Sequence, residues 1–327
     1  MLVIDDLTQV NFTQETSLTI GAFDGVHRGH QYLIRQLVGA AHANGRLAGL
    51  ITFHPHPNVV LARRPPLYLT TPGEKVALLE QLRLDLVTIL RFDQEMARTS
   101  ASDFIALICR HLHMKELWVG QDFALGKERE GDVSTLCRLG AEFGFTVHVI
   151  EPLAGDGEAI SSTRIRQLLL QGHVREAARL LGRYPSLAGR VVAGVRRGHR
   201  LGVPTANLEV RPERAIPADG VYAAYAVLGD TRYPAVANIG YRPSFESEDG
   251  SHLRTVETHI LDFDQNIYGF DLVVEFVERL RAERRFASAE ELVAQIHEDI
   301  RIARELLAAY DPGIEETGDR CLRNKNN

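Results

Sequence analysis

Sulfur-bearing residues and tryptophan are scarce in this chain. Its 327 residues include three cysteines, three methionines and one tryptophan. Cys109, Cys137 and Cys321 form no close pair and leave an odd count, which excludes a disulfide framework and a four-cysteine metal site. Cys109 and Cys137 are expected as buried packing. No run approaches the roughly 18 apolar residues of a membrane span. The opening residues MLVIDDLTQV lack a basic region followed by an apolar stretch, so no secretory signal is expected and the cytoplasm is the expected location. Positive charge is not in excess either. Lysine plus arginine is 37 against 43 acids, a net charge of −6, which gives no general attraction to nucleic acid or an anionic membrane. GxxxxGK[ST] is missing, so a P-loop is excluded. What remains, 45% hydrophobic and 24% charged, describes a soluble globular protein long enough for two domains of about 150 residues.

The two halves differ in periodicity. From Leu18 to Ile150 short apolar runs (SLTIGAF, LAGLITF, LDLVTILRF, ELWVG, FTVHVI) alternate with segments of helical spacing, the pattern of a parallel sheet covered by helices. Leu33, Ile34, Leu37, Val38 and Ala41 recur at three and four, and Gly45 stands where that helix would stop. Further helices are expected around Glu74–Leu84, Ser102–His113, Val133–Phe143, Thr163–Gln171 and Val174–Leu181. GRYPSLAG then gathers glycine, proline and serine, and the boundary is placed there: 1–183, 184–312, and a polar tail 313–327. Beyond it RVVAGV, VYAAYAVLG, YPAVANIG, TVETHIL and DLVVEFV read as strands of a small antiparallel barrel, closed by a helix from Ser288 to about Tyr310.

The junction GAFDGVHRGH sets Asp24, His27 and His30 around Gly25 and Gly29 where a strand passes into a helix. Glycines let backbone approach an anion, helix-start amides point at it, and imidazoles donate to charge developing on phosphoryl oxygens. ISSTRIR opens a second helix with hydroxyls at Ser161 to Thr163 and Arg166 on the same face, which suits a triphosphate. His54 and His56, with His27, His30 and Asp24, would alternatively suggest a binuclear metal hydrolase. Such a site needs several convergent carboxylates, and only Asp24 stands in a suitable junction. In the second half GVRRGHRLGVPTANL spaces Gly194, Gly198 and Gly202 four apart before Thr205 and Asn207, whose hard oxygens suit Mg²⁺ carried with phosphate. VETHIL alternates, so Glu257 and His259 share one face, and a carboxylate on a rigid strand is a candidate base.

HxGH followed by ISSTRIR, in an alternating α/β domain, resembles the HxGH nucleotidyltransferases. HPHP, LTTPGEK and VGQDFALGKEREGD resemble the FMN adenylyltransferase module of the bacterial bifunctional FAD synthetase family. GxVxxG, LGVPTANL, DGVY, NIGYRPSF, VETHILDF, YGFDL and LRAERRF occur in the order of its riboflavin kinase module. The resemblance implies a Rossmann-like α/β nucleotidyltransferase domain followed by a β-barrel kinase domain with a C-terminal helix. It implies an enzyme that phosphorylates riboflavin with ATP and then adenylylates FMN to FAD, with Mg²⁺ as cofactor and no nucleic-acid or membrane partner. Residue by residue it implies His27, His30 and Arg166 at adenylyl transfer and Glu257 as kinase base. Gly21, Phe23, Asp24, Gly29, Ser162, Thr163, Gly194, Gly198 and Gly202 would meet ATP or phosphate, and Thr205 and Asn207 the metal. Asp122, Phe123, Arg281, Glu283 and Phe286 would lie beside flavin. The chain departs from the family at Ala124, Leu125, Val203, Tyr241 and Ser244. Two rivals are an adenylyltransferase whose barrel merely binds flavin and a non-enzymatic flavin sensor.

Overall fold

The computed structural model describes residues 1–61, 66–155, 157–193, 203–246 and 252–309, with backbone alone for 241–246, 252 and 253. Gly194, Gly198, Gly202, Cys321 and the 313–327 tail lie outside the described residues, as do the side chains of Tyr241 and Ser244. The chain forms two compact units, Met1–Ser162 and Thr163–Asn327.

In the first unit the strands are β1 (Leu2–Ile4), β2 (Thr16–Ile20), β3 (Leu47–His54), β4 (Leu86–Arg91), β5 (Met114–Gly120) and β8 (Thr146–Ile150). They form one parallel sheet in the order β1-β4-β3-β2-β5-β8. Short hairpins pair β6 (Ala124–Leu125) with β7 (Gly131–Asp132) and β9 (Ala154–Gly155) with β10 (Glu158–Ala159). Around the sheet run α1 (Arg28–Ala43), α2 (Pro57–Leu61), α3 (Pro72–Glu80), α4 (Ala101–Leu112) and α5 (Val133–Phe143).

Parallel strands buried on both faces are mostly apolar on both, with Ser17 and Thr19 of β2 and Thr88 of β4 among the buried polar exceptions. One core joins Leu18, Ile20, Ile51 and Leu117 to Phe104, Ile105, Ile108 and Leu139 of α4 and α5. The other joins Ala48, Leu50 and Val87 to Ile34, Leu37, Val38 and Ala41 of α1. Each larger aliphatic buried this way contributes about 1.5–3 kcal/mol. The predicted α1 stripe is therefore the face that meets the sheet. Asn44 ends the helix and Gly45 follows at φ 68°, a left-handed conformation that glycine adopts without strain. Cys137 departs from expectation, being exposed. Leu136, Leu139 and Gly140 form the inward stripe of α5, and the next residue round the helix, about 100° on, faces outward. Cys109 is partly buried, and desolvation pushes its thiol up to about 11.

The second unit opens with α6 (Ser162–Gln171) and α7 (Val174–Leu181) and ends with α8 (Ala289–Ala309), whose first turn is capped by the Ser288 hydroxyl accepting the Glu291 N–H. Between them β11 (Ser186–Val192), β12 (Ala206–Glu209), β13 (Gly220–Leu228), β14 (Thr231–Glu246), β15 (His252–Ile260) and β16 (Asp271–Arg281) close an antiparallel barrel in the order β11-β12-β15-β14-β13-β16. The strands alternate as half-buried strands must: Val256, Thr258 and Ile260 are buried, while Glu257 and His259 face the other way, half-exposed. Ala178 of α7 and Ala303 and Leu307 of α8 pack in one cluster with Tyr184, Ala223 and Val277, and the Ala218 N–H donates to the Leu169 carbonyl of α6.

Candidate active sites

The strand order reverses at β2, with β3 on one side and β5 on the other, and in open α/β sheets ligands settle beyond the carboxyl ends of strands at such a point. The loop leaving β2 there is strained. Phe23 and Val26 hold φ of 46° and 40°, and Gly25 80°. Left-handed backbone is costly for a bulky or β-branched residue, and two N–H groups of the loop are engaged within the protein, Gly25 with the Thr70 hydroxyl at 3.1 Å and Val26 with the Phe23 carbonyl at 3.2 Å. Three further loop carbonyls accept side-chain donors. That of Ala22 accepts the Thr52 hydroxyl at 3.0 Å and the Lys75 ammonium at 2.7 Å. The Asp24 carbonyl accepts the Ser162 hydroxyl at 2.8 Å and that of Val26 the Gln31 side-chain amide at 2.9 Å. The buried Asp24 carboxylate accepts the N–H groups of Leu69 and Thr70 at 3.0–3.1 Å. It ties the segment before α3 to the loop.

The two histidines sit at the amino end of α1. His27 is its N-cap, with Nδ1 accepting the His30 N–H at 3.3 Å, so in that bond the ring proton is on Nε2. The His30 ring stacks on His27 with centroids 3.6 Å apart at 18° and meets the edge of Phe23 at 4.9 Å. Burial first, then the charges of His27 and Lys75, hold the His30 imidazole well below its ordinary range, so it is neutral at pH 7. Its buried Nδ1 has no hydrogen-bond partner among the described residues. A side chain on Gly29 would crowd the His27 ring at 3.2 Å. Imidazole N–H donors, first-turn amides and the positive end of the helix dipole together make a place for phosphoryl charge in which no proton need be transferred.

Asp122 and the half-buried Phe123 follow β5, next to β2 in the sheet, and the Phe123 N–H donates to Gly120. The Ser162 hydroxyl is engaged by the loop, as above. Thr163 and Arg166 lie in α6, in the second unit. His56 serves its own turn: its N–H donates to the Tyr68 hydroxyl and its Nδ1 accepts the Asn58 N–H. Among the described residues no three His, Cys, Asp or Glu side chains group so as to hold a metal ion.

In the second unit, register brings the expected kinase residues together. Asn207 of β12 lies opposite Glu257 of β15, and Glu257 opposite Asn238 of β14. Directly opposed residues share a face, so Glu257 stands between two carboxamides. The Asn238 amide donates to Glu283 at 3.3 Å. His259, on the same face, donates from Nδ1 to the Pro204 carbonyl at 2.8 Å and holds the Thr205 turn against β15. Thr205, Asn207 and Glu257 supply only hard oxygens. A set so small fits Mg²⁺, which keeps several waters and takes substrate phosphates as ligands.

Arg281 is committed elsewhere. Its guanidinium donates to both Asp299 carboxylate oxygens at 2.8–3.1 Å, and Gln295 donates to the same group at 2.9 Å. The pair joins the end of β16 to α8 and anchors the segment carrying Glu283 and Phe286, whose ring lies 5.7 Å from the Arg281 guanidinium and 4.7 Å from that of Arg284. Asp299 is buried, so Asp299→Ala strands a mostly buried cation and is expected to cost about 3 kcal/mol. Urea unfolding followed on the barrel checks this; a midpoint equal to wild type would show the pair to be dispensable.

Four residues in these sites escaped sequence reasoning. Asn238 lay inside NIGYRPSF and gave no signal, and Asp299 lay in the α8 pattern as an ordinary charge. Thr52 reads as one more strand residue. Lys75 did offer a signal: a lysine in the first turn of a helix, as here after the Thr71 N-cap, opposes the helix dipole.

Residues 9–164 match the FAD synthetase family and residues 181–307 the riboflavin kinase family. A bifunctional riboflavin kinase/FMN adenylyltransferase of Escherichia coli strain K12 is 38% identical over 298 residues, 90% of this chain and 94% of that protein. One of the same name from Listeria monocytogenes is 33% identical over 313 residues, 95% of this chain and 97% of that protein. A solved structure described as a macrolide-efflux protein from Streptococcus pneumoniae is similar with a TM-score of 0.85 at 31% identity, covering 93% of this chain and 98% of that one. Among the described residues, no helix of the present chain is long and apolar enough to cross a membrane.

Proposed function

The chain belongs to the bifunctional riboflavin kinase/FMN adenylyltransferase family, and from that premise we propose how its two halves share the work. It phosphorylates riboflavin with ATP to give FMN, and adenylylates FMN with a second ATP to give FAD and pyrophosphate. The observation that carries this reading is the presence in one chain of both family regions, each holding its own phosphate-handling side chains. Incubation with riboflavin, ATP and Mg²⁺, with products resolved by chromatography, is expected to show FMN and FAD in that order. FMN without FAD, or neither, would overturn it.

In the kinase step Glu257 takes the ribityl hydroxyl proton as its oxygen attacks the γ-phosphorus, and ADP leaves. Asn207 and Asn238 flank the carboxylate on the sheet face where register sets it, and Thr205 with Asn207 would hold Mg²⁺. When bound, that ion offsets charge on the phosphates. In adenylyl transfer the FMN phosphate is already a nucleophile. The first half therefore supplies positioning and donors, which suits His27 and the neutral His30 at the start of α1. The assignment of Arg166 as a further donor rests on its place in ISSTRIR, one helical turn after Ser162. The functional boundary is proposed at 183/184, after the two helices that pack with the second unit.

Both steps handle ATP through oxygen donors, so EDTA is expected to stop FMN and FAD formation and added Mg²⁺ to restore both. Recovery with Zn²⁺ alone would contradict the assignment of Thr205 and Asn207.

A further inference from the structure

Beneath the loop that follows β2 lies a lysine that neither step above uses. Lys75 is buried in the first turn of α3, where the helix dipole opposes a cation. Its ammonium donates to the Ala22 carbonyl at 2.7 Å and to the Thr52 hydroxyl at 3.2 Å, and that hydroxyl donates to the same carbonyl at 3.0 Å. Two donors on one carbonyl fix the Ala22–Phe23 peptide. In a trans peptide the N–H points opposite to the C=O, so the Phe23 N–H is turned away from Lys75 and out of the loop. Phe23 itself holds a left-handed φ of 46°, a strain that persists only where the surroundings over-determine it. A charged donor also polarises the peptide it binds, strengthening the opposite N–H as a donor.

We propose that Lys75 is a positioning residue for adenylyl transfer: its ammonium holds the Ala22–Phe23 peptide with the N–H presented to a phosphate oxygen and lends positive potential to the loop. This rests on the reading that FMN adenylylation takes place at the HxGH loop. The charge is held against resistance. Desolvation pulls the ammonium down to about 8, opposed by the Asp24 carboxylate. The groups acting on it are Asp24 on the loop, His30 at the start of α1, and the uncharged Thr52 on β3. His30 is held neutral well below this range and does not titrate with it. The contribution is therefore present well below pH 8, about half lost at pH 8 and lost above it.

The test uses the full chain. kcat/KM for ATP is measured with FMN as second substrate from pH 6.5 to 9.5 in wild type, Lys75→Arg and Lys75→Met, with riboflavin phosphorylation and thermal unfolding as controls. Wild type is expected to bend downward near pH 8. Lys75→Arg, charged throughout, is expected to keep its rate without that bend. Lys75→Met is expected to be about tenfold slower at pH 7, the loss of one charged hydrogen bond, and flat with pH, while phosphorylating riboflavin normally. A Lys75→Met enzyme equal to wild type at pH 7, or a bend near pH 8 that survives in Lys75→Arg, would overturn the proposal. If Lys75→Met does not fold, the Lys75→Arg profile decides. Undiminished adenylylation by His30→Ala would instead remove the site on which the proposal stands, an outcome independent of Lys75.

Discussion

Replacing His30 with alanine is expected to slow FAD formation from FMN and ATP by about 10²–10³-fold while FMN formation from riboflavin continues at the wild-type rate. Loss of one preorganised donor to charge developing in a transition state costs that much. The His30 ring is proposed as such a donor: it is stacked on His27, edge-on to Phe23, and held neutral by burial. An unpartnered buried Nδ1 is a cost to the free protein, and a bound phosphate oxygen would relieve it. The loss should fall on kcat more than on KM, because the donor acts on charge that appears only as the phosphorus is attacked. His30→Gln, which keeps an N–H donor on a flexible stem, should recover part of it. Separate assays on the same preparation check the expectation, since riboflavin phosphorylation monitors the second half independently. A wild-type adenylylation rate in His30→Ala would move the chemistry away from the start of α1.

The parts of this site visible in the sequence are those set by short-range pattern. Glycines flanking HRGH and apolar residues at three and four announce a strand, a turn and a helix start, because local sterics and one buried face decide all three. Alternation likewise put Glu257 and His259 on one face of β15. What was not legible depends on which elements the topology sets side by side. Lys75 reaches Thr52 and Ala22 across 23 and 53 residues of sequence, and only the order β4-β3-β2 brings those segments together. Asp24 is expected from the sequence to meet ATP or phosphate, yet its carboxylate is the anchor for Leu69 and Thr70, 45 and 46 residues on. Asn238 becomes part of a site only through the register that sets it beside Glu257. Arg281 was expected beside flavin, and nothing in LRAERRF reveals that an aspartate 18 residues later takes its guanidinium.

Glu257→Gln is expected to slow riboflavin phosphorylation by about 10²–10⁴-fold, the usual cost of removing a general base, while supplied FMN is still converted to FAD. Glutamine keeps the length and shape of the side chain and can still pair with its neighbours, so the loss reports proton acceptance rather than packing. The strand geometry makes this a clean comparison. Glu257 is flanked in register by Asn207 and Asn238, both uncharged, and the Asn238 amide is shared with Glu283. Asn207→Ala should differ in kind. It removes a proposed Mg²⁺ ligand, so its defect should be eased by raising Mg²⁺, whereas no concentration of Mg²⁺ restores a missing base. Measured at saturating ATP and Mg²⁺, wild-type turnover by Glu257→Gln would mean that the hydroxyl proton goes elsewhere. Glu283 would then be the next carboxylate to replace, since the Asn238 amide already links it to the same face of the barrel.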